Sequence, residues 1–356
     1  FDDAIKASQE LEITLTRRDG GKEIPMCGVP YHSASTYIKK LIDKGYKVAI
    51  CEQVEDPKQA KGVVKREVIQ VITPGTVMEN NLLNEKENNY IASITPITPL
   101  EYVVAYNDLS TGENSVAFVR DGWDTVISEL FNRPVKEVVV PSNLEDKKLQ
   151  FLKDQLQLTI SYEDETNIPE DYTYLLEHIQ EEPLQKGFGR LFQYLKRTQM
   201  RSLAHLQAVT YIELNNYLKL DMYSKRNLEL TETIRGKGKH GSLLWVLDRT
   251  ATAMGARMLK KWMERPLLSK NAIEKRLRLV EALMNQFMER EALREALKDV
   301  YDLERLSGRI SFGNVNARDM LQLKRSLIQV PNIIQLLECF GEEWKDLPSH
   351  SIASIE

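Results

Sequence analysis

Apolar residues recur at helical spacing along the last third of the chain. Three stripes are spaced by three or four residues, as on one face of a helix. They are Leu247, Ala251, Met254, Met258 and Trp262; Ile273, Leu277, Val280, Met284 and Phe287; and Leu323, Leu327, Val330, Ile334 and Leu337. Each stripe needs an apolar partner, so the pattern predicts a multi-helix core. Pro331 should kink the last helix or start a new one after Val330.

The first 75 residues mix short helical and strand-like patterns. The predicted helices are 3–10 and 33–44, and the predicted strands are 11–18, 46–51 and 66–72. Ser33 or Ser35 is a suitable N-cap for the second helix, and Gly45 is placed to end it. The pattern therefore predicts a small mixed α/β domain.

The middle of the chain begins with strands and continues with alternating helices and strands. The predicted elements are a strand pair within 102–119, helices at 123–132 and 145–156, and strands at 136–141 and 158–162. This order favours a mixed sheet with helices packed on it. After Pro183 the pattern is almost wholly helical. The predicted fold class is therefore α/β plus all-α, with three domains at about 1–75, 76–220 and 221–356.

Composition narrows the class of function. The 356 residues carry a formal net charge of −4, which argues against a globally basic nucleic-acid binder but allows local basic faces. An acidic run at 161–182 contrasts with cationic stretches at 186–239 and 255–278. The three cysteines lack metal-ligand spacing and predict free thiols in a reducing cytosol. Because no apolar run approaches the ~20 residues that span a bilayer, we expect a cytoplasmic protein without a membrane partner.

The run from Gly236 to Ser242 has the glycine spacing of a phosphate loop but lacks its chemistry. Ser242 stands where the phosphate-binding Lys is required, and no apolar strand precedes the run. We interpret it as a flexible basic loop. From this chain we expect no ATP hydrolysis, no bound cofactor or metal and no enzyme activity.

Asp108 is the best candidate for a catalytic residue. It ends a predicted strand, where ribonuclease-H-like folds place a metal-binding carboxylate, and the sequence suggests it is the first strand of its sheet. Two-metal chemistry needs several convergent carboxylates, and Glu113 and Glu137 are the available partners. A structural role, in which Asp108 and Gly112 serve the turn, is the favoured interpretation. A ribonuclease-H-like nuclease stays open as an alternative function.

Several stretches resemble the MutS family of bacterial DNA mismatch-recognition proteins. They are FDDAIKASQELEITLTRRDGG at 1–21, IPMCGVPYHSASTYIKKLIDKGYKVAICEQVEDP at 24–57, NLEL at 227–230, TAMGARML at 252–259 and RPL at 265–267. The resemblance extends over essentially the whole chain. It implies an incomplete mismatch-recognition domain, a ribonuclease-H-like connector domain that is not a nuclease, and the start of a helical core domain.

The resemblance places DNA contacts in the first domain, which in this family probes the minor groove at a mismatch. The candidate DNA-binding residues combine cations for phosphates with apolar or stacking side chains. They are Arg17, Arg18, Met26, Val29, Pro30, Tyr31, Lys65 and Arg66. The alternatives are a solvated surface for the cations and ordinary turn packing for the others.

The resemblance also implies a function for the full-length protein. Family members bind mispaired or looped-out bases in double-stranded DNA as homodimers, use ATP and Mg²⁺ to become sliding clamps, and recruit a MutL-type repair protein. We expect a fragment, because the family's Phe-x-Glu wedge would precede Phe1 and its ATPase domain would follow Glu356. The Phe-x-Glu sequence from Phe287 to Glu289 is interpreted as core packing. A paralogue acting in recombination or junction binding stays open.

Overall fold

The computed structural model describes residues 2–18, 24–56, 64–79, 82–236, 238–341 and 344. The first described part, residues 2–72 without the gaps, is called the N-terminal unit. Its elements are α1 (Asp2–Leu11), β1 (Thr16–Arg18), β2 (Ile24–Met26), α2 (Ala34–Asp43), β3 (Val48–Gln53) and β4 (Arg66–Ile72). β1 pairs with β2 and β3 with β4, so the unit contains two antiparallel ribbons.

The two helices of the N-terminal unit are held together by one carboxylate. Glu10 of α1 accepts hydrogen bonds from the Lys44 Nζ, at 2.7 Å, and from the Tyr46 hydroxyl, at 2.8 Å. The helix predicted at 33–44 is confirmed, and Gly45 follows it with a φ of +82°, a conformation that glycine adopts without strain. The predicted strand at 11–18 is wrong at its start. Leu11 ends α1, and only the last three residues find a partner strand.

Residues 90–211 form the central unit. Its elements are β5 (Tyr90–Pro96), β6 (Tyr102–Asp108), β7 (Glu113–Val119), α3 (Trp123–Phe131), β8 (Val135–Val140), α4 (Asp146–Asp154), β9 (Thr159–Tyr162), α5 (Glu182–Gln199) and β10 (Thr210–Tyr211). They build a six-stranded sheet in the order β10-β7-β6-β5-β8-β9. β5, β6 and β7 are antiparallel neighbours, whereas β8 and β9 run parallel to β5.

Helices cover both faces of this sheet. α5 packs on one face and buries Phe188 and Leu195, while α3 and α4 pack on the other and bury Val126, Leu130 and Leu152. Every residue of β6 is buried, as expected of a strand with apolar layers on both sides. The mixed sheet with packed helices is therefore confirmed.

Strand β5 is absent from the sequence prediction. Six of its seven residues are buried, and the run YIASITP is rich in the strand-favouring residues Tyr, Ile and Thr, so the sequence did carry a signal for this strand. Its presence corrects one further expectation. Asp108 ends the second strand of the sheet, not the first.

Residues 222–338 form the helical unit. Its elements are α6 (Met222–Asn227), α7 (Leu243–Leu247), α8 (Ala253–Glu264), α9 (Lys270–Asn285), α10 (Phe287–Lys298), α11 (Leu303–Ser311) and α12 (Ala317–Glu338). The predicted all-α character is confirmed. No helix in the described part of the chain has the length and apolarity needed to cross a membrane.

The single helix predicted through Leu247 and Trp262 is wrong, because the chain leaves helical conformation between α7 and α8. Asp248 accepts a hydrogen bond from the Thr250 hydroxyl at 2.6 Å, and Thr252 caps α8 by accepting from the Gly255 amide at 3.0 Å. Short polar side chains that bond to nearby backbone favour such a break.

The other two stripes differ in burial. On α9 the stripe is exposed, with Leu277 61% and Met284 68% exposed, and Phe287 belongs to the next helix. The expectation that this stripe lies in a helical core is therefore wrong for the described residues, and so is the core-packing interpretation of Phe287, which is 57% exposed. The stripe on α12 is half-buried. α12 continues through Pro331, so no new helix begins after Val330.

The central and helical units meet through a close backbone contact. An added Cβ on Gly308 of α11 would lie 2.7 Å from the Ser110 carbonyl oxygen, so only glycine fits. Beside it the half-buried His205 ring lies edge-on to Phe312, and its Nε2 lies 2.9 Å from the Leu109 carbonyl oxygen. The contact packs the turn after β6 against α11.

A glycine also sets the distance between α5 and the sheet. The Gly187 carbonyl accepts a hydrogen bond from the Ser93 hydroxyl at 2.9 Å, and a Cβ at this position would overlap Val103. We expect Gly187→Ala to lower the free energy of unfolding by about 1–3 kcal/mol, since overpacking outweighs the gain in helix propensity. Urea unfolding followed by circular dichroism measures it. Gly238→Ala, where the nearest atom is 3.8 Å away, is the control; equal stability of the two variants would contradict the expectation.

His205 should make stability depend on pH. Burial lowers the pKa of His205, although its bond to the Leu109 carbonyl opposes the shift. A group whose pKa is lower in the folded state stabilises the fold fully at pH values above its unfolded-state pKa, near 6.5. This contribution is lost as the pH falls through the folded-state pKa. We expect the urea concentration at the unfolding midpoint to decrease as the pH is lowered below 6.5. This decrease should be smaller in His205→Gln. Parallel pH profiles of the two proteins would refute this assignment.

Candidate nucleic-acid interface

The β1–β2 hairpin places a cation and an apolar side chain side by side. Arg17 pairs in register with Pro25, and the Thr16 hydroxyl donates to the Met26 carbonyl at 3.0 Å. Arg17 is exposed, and Met26 is 45% exposed. Arg18 pairs with Ile24 through the backbone, and its side chain lies outside the described part of the chain. The hairpin therefore presents Met26 as an exposed apolar side chain that can contact a binding partner.

The turn before α2 presents an aromatic ring. Pro30 has an extended backbone, a single helical turn follows at Tyr31–Ser33, and the Ser33 amide donates to the Pro30 carbonyl at 3.0 Å. Pro30 is exposed and Val29 is half-buried. Tyr31 is 91% exposed, the highest value among the large hydrophobic side chains that the structure describes. Such a ring is available for stacking.

Lys65 and Arg66 lie on the other ribbon, where β4 begins. The Lys65 amide donates to a Glu55 carboxylate oxygen at 2.6 Å, and its ammonium group pairs with Glu67 at 2.5 Å. Both members of that pair are more than half exposed, so the pair contributes little free energy and the cation can exchange its partner. Arg66 is exposed and pairs with Gln53 through the backbone.

The structure thus divides the predicted site between two ribbons. The hairpin and the turn before α2 carry the apolar and aromatic candidates, and the β3–β4 ribbon carries Lys65 and Arg66. Most of the candidates are exposed, as a surface that contacts DNA requires. Acidic side chains such as Glu55 and Glu67 lie among the cations, so the positive charge is local.

Asp108, the candidate for catalysis, is bonded entirely by protein groups. One carboxylate oxygen accepts from the Ser110 amide at 3.0 Å and the Ser110 hydroxyl at 2.6 Å. The other accepts from the Asn88 side chain at 2.8 Å and the Asn89 amide at 3.1 Å. Asp108 itself is fully buried. This arrangement supports the structural interpretation of the turn.

Glu137 and Glu113 are engaged in the same way. Glu137 is fully buried and accepts from the Tyr194 hydroxyl at 2.6 Å and from the Gly75 amide at 3.0 Å, and it also bonds Thr73 and Ser161. Glu113 pairs with Lys261; burial alone would raise its pKa, but this cation brings the pKa below its ordinary value. Across the described ranges, no three His, Cys, Asp or Glu side chains form a metal-binding group.

The glycine-rich run at 236–242 serves as a turn and a helix cap. The Gly238 carbonyl accepts from the Thr233 amide at 3.0 Å, and the Ser242 hydroxyl accepts from the Trp245 amide at 3.2 Å to cap α7. Lys237 lies outside the described residues. Ser242, which disqualified the run as a phosphate loop, thus has a structural role.

Sequence reasoning missed the residues that fix the ribbons to the rest of the protein. Lys47 donates to Ser161 of β9 at 2.6 Å, and the Gln70 side chain donates to Gln199 of α5 at 3.0 Å. Thr73 and Gly75 bond to Glu137. A polar residue that alternates with apolar ones looks solvent-facing in the sequence, so the pattern held no signal for these contacts.

Comparison with known families divides the chain into three consecutive matches. Residues 1–81 match MutS domain I, residues 89–207 match MutS domain II, and residues 224–354 match MutS domain III. Together these matches cover nearly all of the chain, and they follow the order of the N-terminal, central and helical units.

Proteins named DNA mismatch repair protein MutS are similar over almost the full chain. The protein of Oceanobacillus iheyensis is 62% identical over 344 residues, which cover 96% of this chain and 40% of the relative. That of a Geobacillus species is 58% identical over 357 residues, covering 100% and 41%. That of Bacillus cereus strain ATCC 14579 is 56% identical over 339 residues, covering 95% and 38%. The chain spans about two fifths of the length of these relatives. From the three domain matches and these identities, the chain belongs to the MutS family.

Proposed function

We propose that this chain forms the DNA-reading end of a mismatch repair protein and binds mispaired or looped-out bases in double-stranded DNA. The exposed Tyr31 carries the proposal. A tyrosine ring 91% open to solvent has no packing role in the fold, and it follows Pro30 in the turn that comes shortly after Met26 of β2. Apolar and aromatic side chains of this kind contact bases at a step that is already weakened.

Cations on both ribbons would then hold the duplex by its phosphates. Arg17, Arg18, Lys65 and Arg66 supply charge that carries no sequence information, which suits a protein that must act at any position in DNA. Because each cation that neutralises a phosphate releases counterions, we expect binding that weakens as salt rises, with a log–log slope of about one for each such contact.

We further infer three domains, at about 1–75, 76–220 and 221–356, with a ribonuclease-H-like connector in the middle. The matches to MutS domains I, II and III support this order. The sheet order supports the connector fold, since three antiparallel strands are followed by two strands parallel to the first. The carboxylates of Asp108 and Glu137 are bonded to protein groups, which disfavours a nuclease.

For the full-length protein we propose the family's activity. It would act in the bacterial cytoplasm as a homodimer, bind ATP with Mg²⁺ in a domain outside this chain, and recruit a MutL-type partner. The support is the family membership and the name of the relatives, DNA mismatch repair protein MutS. That name favours repair over the recombination alternative.

Fluorescence anisotropy on a G·T heteroduplex tests the contacts. We expect Tyr31→Ala to weaken binding by about 1–3 kcal/mol through lost stacking. Arg66→Ala should weaken heteroduplex and matched duplex equally and reduce the slope of log affinity against log salt by about one. Lys153→Ala, which removes an exposed cation from α4, is the control. Loss of affinity in the control alone would move the interface to the central unit.

The same titration tests discrimination. We expect this chain to bind the heteroduplex and the matched duplex with nearly equal affinity, because residues 1–81, which match MutS domain I, contain no Phe-x-Glu wedge. A clear preference for the heteroduplex would mean that the segment from Met26 to Tyr31 reads the distorted step by itself.

A further inference from the structure

The segment between β4 and β5 starts in the interior and comes to the surface at residues 84–86, which are exposed. It comprises residues 73–89, of which 73–79 and 82–89 are described, and residues 73–78 are all buried. Connecting segments normally cross the surface, because a buried backbone must find a partner for every polar group. This segment is also the covalent link between the N-terminal and central units, so whatever binds it affects where the N-terminal unit sits.

Glu137 binds the first end of the segment. One of its oxygens accepts from the Thr73 hydroxyl and from the Gly75 amide, and the other bonds Ser161 and Tyr194 of the central unit. The carboxylate therefore joins the segment to β8, β9 and α5. Burial and the neighbouring Glu137 charge raise the pKa of Tyr194, which keeps its hydroxyl as a donor.

Asp108 binds the other end. One oxygen accepts from the Asn88 side chain and the Asn89 amide, while the second holds the Ser110 turn of the central unit. Each carboxylate thus accepts hydrogen bonds from the segment with one oxygen and from the central unit with the other. Four hydrogen bonds to each charge satisfy the rule that a buried carboxylate must be fully bonded.

The segment packs closely against the central sheet at Gly75. An added Cβ on Gly75 would lie 2.7 Å from the Ile91 Cβ and 3.0 Å from the Glu137 Cβ. Inside the segment, the Thr73 amide donates to the Thr76 hydroxyl at 3.0 Å. The first anchor is therefore a close-packed turn.

The helical unit holds the middle of the same segment. The buried Arg305 donates to the carbonyls of Asn84, at 3.0 Å, and Glu87, at 2.6 Å. Arg257 donates to the Glu85 carbonyl at 3.0 Å. Arg305 also bonds the Ser110 hydroxyl at 3.2 Å, the group that Asp108 accepts from. All three units thus converge on one segment.

We propose that Asp108 and Glu137 are positioning residues that fix the N-terminal unit, and with it the candidate DNA surface, relative to the central unit. The two carboxylates occupy a sheet whose strand order suggests a nuclease fold, yet all the hydrogen bonds given for them come from protein groups. Only the consequence for DNA binding rests on the proposed function. The positioning itself is a property of the free protein.

Distance measurement between two spin labels tests the proposal without DNA. The labels are placed on the exposed Cys51 of β3 and on Gln150→Cys of α4, in the full chain with Cys27→Ser and Cys339→Ser. We compare the double variant Asp108→Asn/Glu137→Gln with Glu129→Gln. Glu129 is the matched control, since it is a largely buried carboxylate that pairs with Arg265 of the helical unit and lies outside this network.

The expected result is a narrow distance distribution in the parent protein and in Glu129→Gln, and a broadened or shifted one in the double variant. A second double variant, Thr73→Val/Asn88→Ala, removes donors from the segment and leaves both carboxylates in place. It should broaden the distribution as well. If the carboxylate variant no longer unfolds in a cooperative thermal transition, the distance distribution of the second double variant decides whether the proposal holds.

Two results would overturn the proposal. One is a distribution unchanged from the parent in both double variants. The other is broadening in the carboxylate variant alone, which would mean that Asp108 and Glu137 only stabilise the sheet. Because no DNA is present, a failure of the DNA titrations leaves this outcome unaffected, and the two hypotheses are tested separately.

Discussion

The segment at 73–89 enters the interior at residues 73–78, and a backbone that does so must have its amides and carbonyls bonded. The central unit supplies two carboxylates and the helical unit supplies two arginines, so acceptors meet the amides and donors meet the carbonyls. Charged partners are suited to this task because each can make several bonds at once. The arrangement links three units that have separate apolar cores or none of their own.

The contact between the central and helical units follows from the same network. Arg305 is 2% exposed and Arg257 is 3% exposed, and a cation at such depth needs a full set of partners. Gly308, one helical turn from Arg305, lets α11 approach the Ser110 carbonyl closely enough for the guanidinium to reach the segment. Buried ion pairs of this type, such as Arg257 with Asp302, contribute more to a unique arrangement than to stability.

The candidate DNA surface has the opposite character. Its side chains are exposed, its ion pair between Lys65 and Glu67 is weak, and its two ribbons share no large core. A reading surface of this kind depends on the rigid part of the protein for its position, because its own packing is slight. The buried segment is where that position is set, which connects the interior of the protein with the function that we propose for its surface.

The sequence alone determined the elements whose signal is local. The β6–β7 hairpin, the helix ended by Gly45 and the helical last third were predicted because period and turn chemistry lie within a few residues. The family resemblance pointed to the exposed turn at Tyr31, although its contacts with DNA stay predictions. Tertiary structure decided the rest. Glu137 meets Thr73, 64 residues away, and Asp108 meets Asn88, 20 residues away, so neither role has a local pattern. The α9 stripe was predicted to be buried and is exposed, because periodicity shows which residues share a face but not what covers it.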